Sequence, residues 1–211
     1  MNIGIYSSYL KNIPIEVLEC QKLVFSKFGM DLIQVCGRDV RTGPERHKEH
    51  GYVITDILKN THHDYYLIFD VDAIPINKLF KSKIFEDLSP DTLVGAVGCA
   101  NHIDKNHLYV HPCCMALSKK LYIECGSPDL TFDSNNDTAQ ILTRLSYKNN
   151  KTIKFWDVTG CDTEVWDLIP LNKKFGYGTV YENCLYHQYQ ISELKSNNKS
   201  FLNKCKKILE T

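Results

Sequence analysis

Several features that mark common protein classes are absent from this 211-residue sequence. Acidic and basic residues balance at 25 each, so no broad electrostatic surface for nucleic acid is expected. There is no apolar run of the roughly 18 residues that would span a bilayer. The first residues, Met1 to Tyr6, lack the basic region and the long apolar core of a secretory signal. We therefore expect a soluble protein without a transmembrane segment.

Two sequence motifs are missing as well. The nine cysteines form an odd set without C-x-x-C, which favours reduced, buried thiols in the cytoplasm over a disulfide framework or a zinc knuckle. The fingerprint G-x-G-x-x-G does not follow the first apolar segment, which excludes an NAD-type Rossmann site there. Four histidines lack a matching set of cysteines or acids, and we interpret them as solvated side chains. These are His47, His50, His62 and His63.

The longest apolar run in the chain ends in two acidic residues. Tyr65 to Phe69 are five large side chains without polar alternation, which is typical of a strand covered on both faces in a parallel sheet. Asp70 and Asp72 follow, and in extended chain their carboxylates leave the same face. Pro75 then interrupts regular pairing. The two acids are thus predicted at the carboxyl edge of a central strand, where open α/β sheets bind ligands.

Two neighbouring carboxylates repel each other, and no adjacent Lys or Arg relieves the repulsion. Oxygen ligands of this kind suit Mg²⁺ or Mn²⁺, which keep positions open for phosphate oxygens. The pair therefore predicts a divalent cation that binds a diphosphate, with Asp70 and Asp72 as ligands. A plainer alternative stays open, in which Asp72 caps a turn and Asp70 accepts backbone N–H groups at the strand end.

The segments before the acids indicate a β-α-β unit. Residues 2–6 and 31–36 predict strands, and a helix between them begins at Ile15 after Pro14 and ends near Gly29. Such a unit is a parallel pair joined by a right-handed crossover. The sequence therefore predicts an α/β fold: one Rossmann-like domain with a mostly parallel central sheet flanked by helices.

The same crossover places the ends of the first two strands at the edge that carries the acids. We predict that a nucleotide lies across this edge, with its base near the end of the first strand. An arginine after the second strand reaches the base or the phosphates, although Arg38 has an alternative partner in Asp39. The predicted nucleotide-binding residues are Tyr6, Ser7, Ser8, Arg38, Asp70 and Val71.

The segment Phe69-Asp70-Val71-Asp72-Ala73 after a hydrophobic strand resembles the D-x-D signature of metal-dependent, nucleotide-sugar glycosyltransferases of the GT-A fold. The resemblance implies a GT-A-like domain over residues 1–191, with a nucleotide-binding half at 1–100 and an acceptor half at 101–191. It also implies transfer of a sugar from a nucleoside diphosphate, with UDP expected, to a hydroxyl of a glycan or glycoprotein. The chain looks most like small virus-encoded transferases of the chlorella-virus type, which act in the host cytoplasm.

Two later residues match functional positions of that family. Metal-dependent members bring a late histidine back to the cation, and His187 matches that place. Many inverting members carry an acid at the start of a helix as the base on the acceptor hydroxyl; Asp137 matches, with Asp133 in reserve. Alternatives stay open, since a lone histidine is often structural and Asp137 with Gln140 resembles a capping box.

Other segments carry weaker signals. Asn101, Tyr109 and His111 follow the metal motif, where the family forms the floor under donor sugar and acceptor; each is alternatively a packing or surface residue. Trp166 and Tyr177 flank a loop whose aromatic side chains stack on a ligand or fill the core. Residues 192–211 have five lysines against two glutamates, and the default expectation is a solvated, half-frayed basic helix; packing on the domain or contact with an acidic membrane surface are alternatives.

Two rival functions remain. The nucleophile of HAD-type phosphatases also lies in a D-x-D after a strand, but Ala73-Ile74-Pro75 departs from that family's pattern. The second rival is a non-catalytic nucleotide-binding or glycan-binding module, in which the acids bind a cation and no acceptor is activated.

Overall fold

The computed structural model describes residues 2–37, 45–191 and 194–211. The elements, in chain order, are β1 (Ile3–Tyr9), α1 (Ile15–Lys27), β2 (Ile33–Cys36), α2 (Glu45–Asn60), β3 (Tyr65–Asp70), β4 (Ala73–Pro75), α3 (Leu79–Asp87), β5 (Thr92–Cys99), β6 (Leu108–Ser118), α4 (Lys119–Glu124), α5 (Gln140–Lys148), β7 (Thr152–Trp156), β8 (Val158–Gly160), β9 (Thr163–Leu168), β10 (Lys173–Tyr177), β11 (Thr179–Tyr181), β12 (Leu185–His187) and α6 (Lys195–Glu210). Within these ranges, no helix has the length and apolar character to cross a membrane.

A six-stranded sheet in the order β2-β1-β3-β6-β5-β7 forms the centre of the molecule. β1 pairs in parallel with β2 and β3, and β5 pairs in parallel with β7. β6 runs antiparallel between β3 and β5. The prediction of a mostly parallel sheet that begins with a parallel β-α-β unit is therefore confirmed.

Both faces of β3 are covered by helices, as its unbroken apolar run predicted. Leu67 and Phe69 face a core built with α1, α3 and α6, whereas Tyr66 and Ile68 face a second core built with α2, α4 and α5. All four side chains are at most 1% exposed. Full burial of such a side chain contributes about 1.5–3 kcal/mol relative to exposure, so β3 anchors the sheet at the point where the acids follow.

Two smaller antiparallel sheets lie beyond the central one. The first has the order β4-β12-β11-β8, and the second is the β9–β10 hairpin. A 3-10 turn at Ile169–Leu171 joins the strands of the hairpin. Trp166 and Tyr177, which were expected to flank a loop, lie in the two paired strands on either side of this turn, and their rings are therefore carried by strands and not by the loop itself.

β6 is one strand of 11 residues that continues through Pro112. The register with β5 shifts between Gly95 and Val97, and the pairing with β3 runs over positions 114–118 of β6. Pro112 therefore lies at a bulge, where no ladder hydrogen bond needs its missing N–H group. The bulge explains how the strand continues through the proline.

The C-terminal helix α6 packs on the domain instead of fraying in solvent. Phe201 and Cys205 are fully buried in the same core as α1. Lys27 in α1 donates a hydrogen bond to the carbonyl of Ile208 at 2.7 Å. The default expectation for residues 195–210 is therefore wrong, because an apolar stripe on the helix is covered by the domain.

Candidate active site

Three strands bring two acids and a histidine together. Asp70 ends β3, and Asp72 lies in the turn before β4. β12 pairs with β4 so that His187 stands opposite Ala73. The Nε2 atom of His187 lies 3.0 Å from Oδ1 of Asp72 and 3.6 Å from Oδ2 of Asp70. The structure thus gathers the three residues that were predicted as metal ligands at the carboxyl edge of the sheet.

The donor set fits a divalent cation. One ligand atom from each of Asp70, Asp72 and His187 lies within 4.8 Å of the other two, and two carboxylates with one imidazole suit Mn²⁺ or Mg²⁺. Burial alone raises the pKa of Asp70, but the charges of His50 and His187 lower that pKa well below its usual range, so the group is ionised. Nε2 of His187 faces both carboxylates, whereas Nδ1, on the other edge of the ring, is buried and has no hydrogen-bond partner within the part of the chain that the structure describes.

The backbone of the acidic turn is fixed from two sides. The buried side-chain amide of Gln21 in α1 donates to the carbonyls of Asp70, at 2.8 Å, and Ala73, at 3.1 Å. Gln34 in β2 donates to the carbonyl oxygen of the Gln21 side chain at 3.0 Å. On the other side, the N–H of Gln188 donates to the carbonyl of Asp72 at 3.0 Å. The turn is therefore a preformed part of the fold.

The acids open into a first cavity at the ends of β1 and β3. Ser8 pairs with Asp70 in the β1–β3 register, so the predicted meeting of these strand ends is present. The hydroxyls of Ser7 and Ser8 are buried and have no hydrogen-bond partner among the described residues, and Ser8 faces the cavity. The lining residues are Ser8, Tyr9, Leu10, Ile13, His50, Val53, Asp70, Val71, Asp72, His187, Tyr189, Gln190 and Ile191.

Two predicted nucleotide-binding residues, Tyr6 and Ser7, are placed differently from this group. Ser7 is fully buried beside its β3 partner Phe69 and does not line the first cavity. The hydroxyl of Tyr6 contacts Nε2 of His63 at 2.8 Å. Tyr6 lies two residues, about 6.6 Å, before Ser8 along the strand, which leaves its side chain short of the cavity. Arg38 lies outside the described residues.

His50 belongs to the site, although its sequence context was interpreted as solvated. Its Nε2 lies 2.9 Å from Oδ1 of Asp70, and its side chain is 28% exposed. Burial alone lowers the pKa of His50, but the charges of Asp70, Asp72 and Asp137 raise the pKa above its usual value. The sequence does contain a signal that His50 faces inward, because it lies at helical spacing from four buried residues. These are Val53, Ile54, Ile57 and Leu58.

A second cavity adjoins the first one and shares Tyr189 and Gln190 with it. Asn101, Tyr109 and His111, which were predicted as the floor of the site, all line it together with Asp137. The lining residues are Cys99, Ala100, Asn101, His102, Tyr109, His111, Asp137, Trp166, Phe175, Tyr189 and Gln190. Asp133 is not among them, because its carboxylate accepts the N–H groups of Asn135 and Asn136 within its own loop.

The carboxylate of Asp137 faces this second cavity and not the helix that follows. Tyr109 donates to its Oδ2 at 3.0 Å, and the N–H of Thr138 donates to its Oδ1 at 2.8 Å. Only half of the expected capping box forms, in which the Gln140 side chain accepts the N–H of Asp137 at 2.7 Å. α5 begins after Ala139, whose φ is 63°. The acid is thus available to a ligand in the cavity.

The segment after β12 separates the two cavities in a strained conformation. Tyr189 and Gln190 have φ values of 62° and 51°, a region that residues other than glycine seldom adopt. Tyr181 hydrogen-bonds the Tyr189 hydroxyl at 2.8 Å, and Tyr177 donates to Oε1 of Gln190 at 2.8 Å. Strain of this kind is retained where the surroundings fix it, commonly at functional sites.

Comparison with solved structures identifies the fold. The galactosyltransferase LgtC, in complex with donor and acceptor sugar analogs, aligns with 98% of this chain and 95% of its own at a TM-score of 0.57 and 9% identity. This chain has the GT-A fold. A Drosophila β1,4-galactosyltransferase 7 mutant in complex with manganese, UDP-Gal and xylobiose aligns with 74% of this chain at a TM-score of 0.51 and 12% identity.

The GT-A chain described here spans 63% and 65% of the two Drosophila enzyme structures that it matches. A glycosyltransferase involved in glycosylation of the major capsid of PBCV-1 aligns with 56% of this chain and 61% of its own at a TM-score of 0.37 and 16% identity, and viral origin stays a prediction. No family model matches the sequence, and no curated protein matches it.

Proposed function

We propose that this protein is a metal-dependent glycosyltransferase. It moves a sugar from a nucleoside diphosphate, with UDP as the expected nucleotide, to a hydroxyl of a glycan or glycoprotein. The observation that carries the proposal is the convergence of Asp70, Asp72 and His187 at the sheet edge of a GT-A fold. The complex of the Drosophila enzyme with manganese and UDP-Gal supports it. Cytoplasmic location and membrane contact through α6 stay predictions from the sequence.

On the donor side, Asp70, Asp72 and His187 would bind Mn²⁺ or Mg²⁺. When bound there, the cation would supply positive charge to stabilise the departing diphosphate. His50 and the unpartnered hydroxyl of Ser8 line the same cavity and serve as hydrogen-bonding groups for the nucleotide. Tyr189 and Ile191, both at most 7% exposed, add apolar surface that excludes water from the reacting atoms.

On the acceptor side, Asp137 is the proposed base. Burial, and after it the charge of Asp137, raises the pKa of Tyr109 well above its usual value, so its hydroxyl keeps its proton and orients the carboxylate. Asp137 removes the acceptor proton as the hydroxyl attacks an oxocarbenium-like centre. Attack on the face opposite the diphosphate inverts the configuration at the sugar.

His111 is placed to donate a hydrogen bond. Its Nδ1 accepts the N–H of Cys113 at 3.1 Å, which assigns the proton of the neutral ring to Nε2. Burial lowers the pKa of His111 to about 4, so the ring is neutral at physiological pH. In this tautomer Nε2 donates to a hydroxyl of the bound sugar, and a role as metal ligand would require loss of the Cys113 contact.

The test is incubation of the protein with UDP- and GDP-sugars, with and without Mn²⁺, with sugar release and transfer followed by NMR. Mn²⁺-dependent nucleotide release with an inverted sugar product is the expected result. Phosphate release from simple monoesters would instead support the phosphatase, and tight binding without turnover would support the binding module. Asp72→Asn should abolish Mn²⁺-dependent nucleotide binding, whereas Asp31→Asn, an exposed acid outside the site, should not. Failure of calorimetry to detect Mn²⁺ or Mg²⁺ uptake, alone or with UDP, overturns the proposal.

A further inference from the structure

We propose that the second cavity binds a neutral saccharide as the acceptor and that Trp166 selects it by packing against the apolar face of a pyranose ring. This inference rests on the proposed function for its catalytic consequence, because the cavity contains the proposed base Asp137. Its binding component can be measured without any nucleotide donor. The proposal narrows the acceptor from any hydroxyl compound to one class of molecule.

An aromatic wall is the first observation behind the proposal. The ring of Trp166 lies 5.3 Å from Tyr189, 5.4 Å from Phe175 and 5.8 Å from Tyr177, measured between centroids. Phe175 and Tyr189 are buried, whereas Trp166 is half-buried and lines the cavity. Neighbouring rings therefore fix the indole and leave part of it to a ligand. A large ring on a rigid support binds an apolar surface with little loss of side-chain entropy.

The hairpin that carries Trp166 is attached to the segment that follows β5, which also lines the cavity. The side-chain amide of Asn101 donates to the carbonyl of Asp167, the residue after Trp166, at 3.1 Å. Asn101 itself lines the cavity. The position of Trp166 relative to Asn101 is thus fixed by the fold, as expected for a largely preformed site.

The polar groups of the cavity suit hydroxyls and disfavour anions. Asn101, His111, Asp137 and Gln190 present amide, imidazole and carboxylate groups, which pair with the alternating donors and acceptors of a saccharide. Among the described residues that line this cavity there is no Lys or Arg. An anionic acceptor would lie beside the charge of Asp137 without a counter-charge. Neutral sugars are therefore favoured over phosphorylated or acidic ones.

The adjoining cavities explain why binding at this place leads to transfer. Tyr189 and Gln190 line both cavities, and the His111 and His187 rings lie 5.7 Å apart across their boundary. A saccharide that packs on Trp166 therefore has its hydroxyls between Asp137 and the proposed metal ligands.

Saturation-transfer NMR tests the binding component. The probes are the methyl β-glycosides of xylose, glucose and galactose, with methyl β-glucuronide as the anionic counterpart and a serine-containing peptide as the non-saccharide hydroxyl. At least one neutral glycoside is expected to bind, with saturation strongest on the ring protons of its apolar face. Glucuronide and peptide should bind at least about tenfold more weakly.

Variants locate the site. Trp166→Ala and Trp166→Leu should weaken the neutral glycoside at least about tenfold, whereas Trp166→Phe keeps a ring and should lose less. Val165→Ala changes an exposed neighbour on the same strand and should bind as the original protein does. Uptake of Mn²⁺ and UDP shows that a variant is folded. If Trp166→Ala is not folded, Trp166→Leu replaces it in the test, because the leucine side chain fills more of the space left by the indole.

Failure of this inference can be distinguished from failure of the proposed function. If Asp72→Asn loses Mn²⁺–UDP binding but still binds the neutral glycoside, the saccharide site stands by itself. If the original protein binds Mn²⁺ and UDP and no neutral glycoside binds, or if Trp166→Leu binds it unchanged, the inference is overturned. Equal or tighter binding of the glucuronide or the peptide overturns it as well.

Discussion

The imidazole of His187 lies 3.0 Å from the carboxylate of Asp72, although 115 positions separate the two residues. The antiparallel pairing of β4 with β12 places His187 opposite Ala73. Main-chain hydrogen bonds therefore determine this side-chain contact. Because the ligands are ordered before any cation arrives, binding loses little conformational entropy.

His187→Ala removes the proposed nitrogen ligand and should weaken Mn²⁺ binding by at least about tenfold. Isothermal titration with Mn²⁺, in the presence and absence of UDP, measures the change. His62→Ala is the matched control, because His62 is exposed and lies at the other end of β3. Equal Mn²⁺ affinity in the two variants would show that His187 is structural.

Gln21→Leu tests whether α1 positions the acidic turn. The substitution leaves the carbonyls of Asp70 and Ala73 without their side-chain donor. We expect the free energy of unfolding to fall by about 1–3 kcal/mol per unsatisfied group, and Mn²⁺ affinity to fall with it. Urea unfolding and Mn²⁺ titration are compared with Lys22→Leu, an exposed site on the same helix. Lower stability with unchanged Mn²⁺ affinity would limit Gln21 to a packing role.

The elements of the fold that were predicted correctly are those with a clear local pattern of apolar residues. The helix expected to begin at Ile15 and end near Gly29 spans Ile15–Lys27, and the apolar run before Asp70 is a strand buried on both faces. The spacing of apolar residues, together with the proline or glycine at the ends of an element, suffices to predict such elements, because burial of a continuous face dominates their stability. The β9–β10 hairpin was missed, since most side chains of β9 are exposed and its pattern is weak.

Site residues whose partners are distant in sequence were harder to predict. The amide of Gln21 bonds the carbonyl of Asp70 49 positions away, and nothing in its neighbourhood of α1 indicates this contact. His50 is similar, since only its helical spacing from buried residues marks it. Asp72 was predicted from the apolar strand before it and the neighbouring acid, whereas His187 was predicted only because it matches a position of the family.

Asp137→Asn keeps the shape of the side chain and removes its charge. If Asp137 is the base, transfer should fall by about 10²- to 10⁴-fold, while Mn²⁺ and UDP binding stay within about twofold. Single-turnover transfer and calorimetry measure the two effects. Asp133→Asn, in the same loop but outside the second cavity, is the control. Unchanged transfer by Asp137→Asn would mean that Asp137 only makes structural hydrogen bonds before the start of α5.

Asp87 lies outside the candidate site, and its contacts predict that the stability of the protein depends on pH. It accepts hydrogen bonds from the Trp156 indole at 2.9 Å and from Lys154 at 3.1 Å. Burial by itself raises the pKa of Asp87, but these bonds and the charges of Lys83 and Lys154 lower the pKa below 3.8. A depressed folded pKa stabilises the protein above the unfolded pKa, and that stabilisation is lost as pH falls through the folded value.

Asp87→Asn should therefore reduce the free energy of unfolding at about pH 7 and reduce it much less below about pH 3. Urea unfolding of both proteins at the two pH values measures the difference. Asp31→Asn, an exposed acid, corrects for the general loss of one charge. The same destabilisation by Asp87→Asn at both pH values would contradict the assigned role of the carboxylate.

Asn197→Ala tests whether α6 supports the site as well as the core. The buried Asn197 side chain donates to the carbonyl of Tyr189 at 2.9 Å, and Tyr189 lines both cavities in a left-handed conformation. Loss of this bond should cost about 1–3 kcal/mol and weaken nucleotide and saccharide binding together, measured by calorimetry and NMR. Asn203→Ala, exposed on the same helix, should change neither. If Asn197→Ala lowers stability while both ligands bind normally, α6 only covers the core, because a relaxed Tyr189 would have altered both cavities.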